Sequence, residues 1–171
     1  MDIITHYTLT FVLYSFIGYL CEVAYCSIGQ GHLVNRGFLY GPWLPIYGFG
    51  GLIVDIFLVP IAHYPIIVFI TAIILTSIVE YIGSWGLEKI FSIKLWDYSA
   101  HRFNINGRVC LLNSSLFGLM SMVLVYGAYP WIQKLFAIIP NMLAERLADL
   151  LRILFAVDLT LSVLKMSAFK K

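Results

Sequence analysis

The chain alternates long apolar runs with short polar connections. The runs are about 20 residues long and lack the ten-residue alternation of barrel strands, so they predict membrane-spanning helices. Prolines and glycines mark their ends. The first predicted helix covers 5–28 and stops at Gly29-Gln30-Gly31-His32. The second apolar segment, 38–59, is irregular, with Pro42 and Pro45 followed by Gly48, Gly50 and Gly51. Only 14 residues separate Pro45 from Pro60; that is about 21 Å of helix against a hydrocarbon core of about 30 Å. This segment is therefore expected to be kinked, short or partly re-entrant. A third helix is placed at 66–90 and a fourth at 109–129, stopping at Pro130, after which a linker carries Pro140. The last segment contains Glu145, Arg146, Asp149, Arg152, Asp158 and Lys165. Its first part reads as interfacial and 150–168 as a fifth span; a helix lying wholly on the membrane surface is the alternative. The expectation is an all-α, polytopic helical membrane protein with about five spans, forming one transmembrane domain over 1–171.

Composition supports this class. Hydrophobic residues make up 61% and charged residues 12% of the 171 positions, whereas a soluble domain carries about 25% charged residues. With lipid as solvent, each segment must satisfy its own backbone polar groups, which is what a helix does. The net charge of +2 and the lack of a basic run with interleaved aromatics give no reason to expect a nucleic-acid partner. Cys21, Cys26 and Cys110 fall in or near the spans and read as small apolar residues. His6, His32, His63 and His101 fall in separate segments. No metal and no cofactor is therefore expected. The first residues lack the basic stretch of a cleavable signal, so the first helix is expected to stay in the membrane.

Charge also orients the chain. Placing the N-terminus outside puts eight of the eleven basic residues on the cytoplasmic side, with the C-terminus. The expected location is the cell membrane. Trp43, Trp96 and Trp131 fall at predicted span ends, where indole rings prefer to lie.

Candidate chemistry lies in the few polar groups at membrane depth. Glu22 and Glu80 sit inside predicted spans, where a charged carboxylate costs about 2.5–3.5 kcal/mol at the helix centre. Arg36, Arg102 and Arg108, in the polar segments that follow these helices, are the expected partners. On the first helix Tyr7, Tyr14, Gly18, Glu22 and Tyr25 share one face, which is either a packing face or a ligand or ion pathway. Ser77, Glu80 and Ser84 recur along the third helix, with Glu88 as an interfacial charge. Asp97, Asn104, Asn106 and Arg108 lie in a segment dense in hydrogen-bonding groups, whose Asn and Gly residues favour turns. Arg108 and Arg36 can pair with a carboxylate or a phosphate, or simply anchor the cytoplasmic side. Gly37 and Gly41 suit close helix approach, and Ser114, Gly118 and Ser121 form a packing stripe. Asp55 and Asp158 are further acids at membrane depth; Arg152 and Lys165 stand near Asp158 at poor helical spacing. The substrate- or ion-binding candidates are thus Glu22, Arg36, Glu80, Asp97, Asn104, Asn106 and Arg108.

Several enzymes are excluded by motif. The chain contains no G-x-x-x-x-G-K-[ST] loop, H-E-x-x-H pair or G-x-S-x-G elbow. It does not itself hydrolyse ATP.

Three longer motifs carry a resemblance. They are Tyr14-Ser15-Phe16-Ile17-Gly18-Tyr19-Leu20-Cys21-Glu22; Asn35-Arg36-Gly37-Phe38-Leu39-Tyr40-Gly41-Pro42 with Pro45-Ile46-Tyr47-Gly48; and Trp96-Asp97-Tyr98-Ser99 with Phe103-Asn104-Ile105-Asn106-Gly107-Arg108. In these the chain resembles the ABC-transporter type IV, or CmpB-like, membrane proteins, over roughly Tyr14 to Gly118. The resemblance implies a multi-pass transport component of the permease kind, which would need a separate ATPase subunit. A chain this small also implies a homodimer or larger assembly. Two other readings stay open. One is a membrane-embedded enzyme acting on a lipid or phosphate headgroup, with Glu22 or Glu80 as base and Arg36 and Arg108 holding the phosphate. The other is a structural or regulatory membrane protein without a substrate.

Overall fold

The computed structural model describes residues 1–34 and 37–168, with side chains as far as Met166. The fold is all-α. In chain order it comprises α1 (Ile3–Gln30), α2 (Pro45–Leu58) with a 3-10 turn (Val59–Ile61), α3 (Pro65–Phe91), a hairpin of β1 (Asn104–Ile105) and β2 (Val109–Cys110), α4 (Leu111–Val123), a π turn (Leu124–Ala128), α5 (Tyr129–Ile138) and α6 (Asn141–Ala168). Among the described residues three helical stretches are long and apolar enough to cross a bilayer: Ile3–Gln30, Pro65–Phe91 and the continuous Leu111–Ile138. The chain is a membrane protein. It packs as two compact units, one of Met1–Phe49 with the segment from Ile138 onward, the other of Gly50–Ala137.

In the first unit Asp2 starts α1, its carboxylate accepting from the N–H and hydroxyl of Thr5 at 2.8 and 2.6 Å. Gly31 ends the helix in the left-handed conformation, φ 70°, its N–H returning to the Ser27 carbonyl. Small residues line the packed surfaces: Thr10 and Ser15 on α1, and Ala144, Ala148 and Ser162 on α6, are nearly fully buried. Small side chains let helix backbones approach where lipid gives no hydrophobic drive for association. Phe11 and Phe155 meet edge to face at 5.4 Å, and Arg152 donates to the Thr8 hydroxyl at 3.0 Å.

In the second unit α3 and α4 share the main seam. Gly118 lies against Phe69 and Ile73, where a Cβ would crowd both side chains. Ser77 donates to Ser114 at 2.7 Å. The Ser114, Gly118 and Ser121 stripe is buried, as its spacing predicts. Val54, Leu58, Val68, Ala72 and Val125 form the apolar core, and the Tyr126 hydroxyl donates to the Ala62 carbonyl at 2.7 Å.

The second and fourth helices differ in their bounds from the sequence reading. Residues 37–44 are not helical, and the second helix begins only at Pro45. Proline suits a first helical position, and Pro42 keeps Gly41 from helical geometry. Gly37 and Gly41 therefore lie in a loop and make no helix-packing pair. The fourth helix does not stop at Pro130 but continues to Ile138. A proline lacks its N–H and presses on the carbonyl one turn back; the π turn at Leu124–Ala128 widens the helix there and relieves the crowding. The final segment is one 28-residue helix, starting immediately after Pro140.

Candidate functional site

The first unit holds Glu22 within a small cluster. Gly18, Glu22 and Cys26 follow one another at single-turn spacing on α1. Gly18 is buried and touches the Tyr47 ring directly, leaving no room for a Cβ. Tyr47 thereby lies against α1 and donates its phenol to Glu22 Oε2 at 2.8 Å. Two contacts fix Tyr47 in place: the Leu44 N–H donates to the Ser15 carbonyl at 3.0 Å, and Gly48 packs against Ser15 and Phe11. Of the predicted polar face, Tyr14 and Gly18 are buried, whereas Tyr7 and Tyr25 are exposed. Arg36, the expected partner of Glu22, lies outside the described residues.

The same unit contains a second carboxylate site. Asp158 on α6 is buried, and one of its oxygens accepts from the Tyr40 N–H at 2.8 Å and from the Ser162 hydroxyl at 3.1 Å. The other accepts from the Gly41 N–H at 2.7 Å and the Trp43 indole N–H at 2.6 Å. Successive backbone N–H groups form an anion-binding concavity. Gly41 is required there, because a Cβ would meet Asp158 Oδ2 at 2.8 Å and the indole at 2.7 Å. Neither Arg152 nor Lys165 pairs with Asp158: Arg152 bonds Asp149, and the Lys165 ammonium sits 4.7 Å above the Tyr40 ring. Asp158 is thus held by neutral donors and fixes the loop between α1 and α2. The sequence signal is an acid in an apolar helix; two of its four donors are backbone amides, which have no residue signature.

The second unit builds its site where α3 meets the segment 92–110. Glu80 is buried, and Tyr98 donates its phenol to Oε1 at 2.9 Å. One turn further along α3, Ser84 accepts from Arg108 at 3.5 Å, and one turn beyond that Glu88 pairs with Arg108. Arg108 also lies over the Tyr81 ring at 5.6 Å. The Glu88 carboxylate raises the Arg108 pKa above the ordinary guanidinium value, so this residue stays charged. Glu80 and Arg108 are therefore brought onto the same stretch of α3, but Arg108 pairs with Glu88, the residue that sequence assigned to a plain interfacial role.

The remaining candidates shape the loop. Asp97 accepts from both the N–H and the hydroxyl of Ser99, at 2.9 and 2.5 Å, and these bonds hold its pKa below the usual carboxylate value. Asn104 donates to the His101 carbonyl at 2.8 Å and accepts from the Gly107 N–H at 3.0 Å. Asn106 donates to the Tyr81 hydroxyl at 2.8 Å, and the Trp96 indole donates to the Arg108 carbonyl at 2.9 Å. Phe103, Asn106 and Gly107 take positive φ of 53°, 53° and 68°, as the Asn- and Gly-rich composition foreshadows for the last two. Arg102 is exposed and makes no ion pair among the described residues. Among the described residues no three His, Cys, Asp or Glu side chains come together as a metal site.

What sequence missed is the pair of phenols. Tyr47 and Tyr98 each lie in the chain after the helix whose acid they meet, 25 and 18 residues beyond that acid. The family model described as Putative ABC-transporter type IV matches residues 9–163. No curated protein and no solved structure matches the chain.

Proposed function

The chain belongs to the ABC-transporter type IV family, and from that premise we propose that it is a permease-like subunit of a transporter, with Glu22 and Glu80 as the acids of its substrate or ion path. The observation that carries this reading is the repeated carboxylate–phenol contact. Each unit places one glutamate of a long apolar helix against a tyrosine hydroxyl, at 2.8 and 2.9 Å. A phenol stabilises the carboxylate by a hydrogen bond and leaves its charge intact, so the acid can still meet a cation or a proton. The broken segment 37–44 ahead of the short α2 supports the same reading, because transporters use unwound backbone where a site needs polar groups.

The rest of the assignment follows from composition and family. Without a phosphate-binding loop of its own, the chain takes its energy from a separate ATPase subunit. Arg36, outside the described residues, is a further candidate for binding substrate or ion, Arg108 is the fixed charge of the second site, and Asp97, Asn104 and Asn106 hold the loop that carries Tyr98. The protein lies in the cell membrane as one transmembrane domain, with its N-terminus outside and its C-terminus in the cytoplasm. α6 serves as a further span, and the working assembly is a homo-oligomer. Glu88 already holds a terminal nitrogen of Arg108, which weighs against Arg108 as a phosphate clamp in a headgroup enzyme.

The test is affinity purification from native membranes, followed by comparison of wild type with Glu22→Gln and Glu80→Gln in a cellular transport readout. Co-purification of an ATPase, with folded but transport-deficient variants, supports the proposal. Fully active variants remove these acids from the path. Cysteine labelling near Ser99 tests orientation: modification by an impermeant reagent from outside only would reverse it.

A further inference from the structure

The segment after α3 and the start of α4 form a groove whose two walls differ in character. One wall is His101, Arg102 and Phe103; the other is Leu111, Leu112 and Ser115. Leu111 and Leu112 are 53% and 57% exposed and begin the continuous apolar stretch that is long enough to cross a bilayer. The second wall is therefore the exposed apolar start of a helix long enough to cross a bilayer. Phe103 is 79% exposed although it is a large aromatic. Its backbone has φ 53°, a conformation uncommon for a bulky side chain. The hairpin fixes that geometry through the Leu111 N–H, which donates to the Phe103 carbonyl at 3.1 Å. Beside it stands Arg102, exposed and without an ion-pair partner among the described residues.

We propose that this groove binds an anionic phospholipid, with Arg102 at the headgroup phosphate and the acyl chains along Phe103, Leu111 and Leu112. Two arguments choose a lipid over other occupants. First, the apolar wall continues along the exposed Leu116, Leu119 and Val123 of a helix long enough to cross a bilayer. Second, the Arg102 guanidinium, exposed and without an ion pair among the described residues, is complementary to an anionic headgroup and is suited to paired hydrogen bonds with its phosphate oxygens. Lys89, Lys94, Arg102 and Arg108 outnumber Glu88 and Asp97 here, so this end of α3 and α4 is net basic even with Arg108 paired to Glu88 and Lys94 at 3.9 Å from Asp97, and a basic end attracts anionic lipid. The site does not depend on the transport reading.

The experiment uses the full chain in detergent with phosphatidylglycerol and phosphatidylcholine of the same acyl composition, scored by native mass spectrometry. Wild type should retain phosphatidylglycerol about fivefold more than phosphatidylcholine, the preference expected of one basic residue at an anionic surface. Arg102→Gln should abolish the preference, and Phe103→Ala should lower retention of both lipids. Arg102 is exposed, so unfolding by the substitution is not expected; unchanged thermal unfolding checks this. The wild-type preference stands as a measurement in its own right. Equal retention of the two lipids by wild type, an undiminished preference in Arg102→Gln, or displacement of phosphatidylglycerol by equimolar inorganic phosphate would each overturn the proposal.

Discussion

Tyr98 lies in the segment after α3 yet places its hydroxyl 2.9 Å from Glu80, back along that helix and only 4% exposed. A carboxylate removed from water depends on each donor that reaches it, and a hydrogen bond to a charged group contributes about 1.5–3 kcal/mol. The bond thus couples loop folding to the state of a buried acid.

Tyr98→Phe should lower stability by about 2 kcal/mol, seen as a lower detergent melting temperature. In a double-mutant cycle with Glu80→Gln the two effects should be non-additive by about 1 kcal/mol or more. Additive losses would show that the phenol and the acid do not act together.

Replacing Gly18 tests the first pair. A Cβ at Gly18 strikes the Tyr47 ring, so Gly18→Ala should destabilise by about 1–3 kcal/mol, as overpacking commonly does. Tyr47→Ala in that background should recover part of the loss, although the phenol is absent. Failure of that rescue in thermal unfolding would mean that Gly18 matters for another reason.

Asp158→Ala should be among the most damaging single changes in the first unit. It leaves the N–H groups of Tyr40 and Gly41 and the Trp43 indole without their acceptor, at a cost of about 1–3 kcal/mol for a buried donor. Asp158→Asn should be milder, because one amide oxygen still accepts. Hydrogen exchange at Tyr40 and Gly41 reads the difference; equal protection in wild type and Asp158→Ala would sink the assignment.

Asp97 gives a pH prediction outside the spans. Its pKa is lowered from 3.8, chiefly by the Ser99 hydroxyl and then by the Ser99 N–H. A carboxyl depressed in the folded state contributes stability above its unfolded pKa and loses it as pH falls through the folded value. Hydrogen exchange at the Ser99 amide should therefore be constant above about pH 4, once corrected for the intrinsic rate, and should lose protection below that. Asp97→Asn should flatten this profile; an unchanged profile would assign the acid sensitivity elsewhere.

Sequence made the architecture legible because lipid imposes a simple rule: long apolar helices, with glycine and proline at the breaks. Glu22 and Glu80 stood out for the same reason, as rare charges where charge is expensive. Their partners did not. Tyr47 and Tyr98 are ordinary tyrosines until the chain turns back on itself. Ser162, one donor to Asp158, lies one helical turn away, but the Tyr40 and Gly41 amides and the Trp43 indole are more than a hundred residues away, and no spacing rule connects them. Arg108 looked like a counter-ion for a buried acid because Glu88 looked like surface; one helical turn separates Glu88 from Ser84, and the guanidinium spans both. Pro130 reads as a stop because the π turn that accommodates it has no sequence signature as clear as a proline.

The Asp158 clamp also sets an order of events during synthesis. The loop at Tyr40 leaves the ribosome 118 residues before the carboxylate that secures it. At about 5–20 residues per second, roughly 6–24 s pass between the two. Throughout that interval the amides of Tyr40 and Gly41 lack the acceptor that holds them in the folded chain. Residues Gly50–Ala137 emerge in full meanwhile. The first unit to be translated is thus the last to close, and a ribosome stalled before α6 leaves behind a chain whose earliest loop is still open.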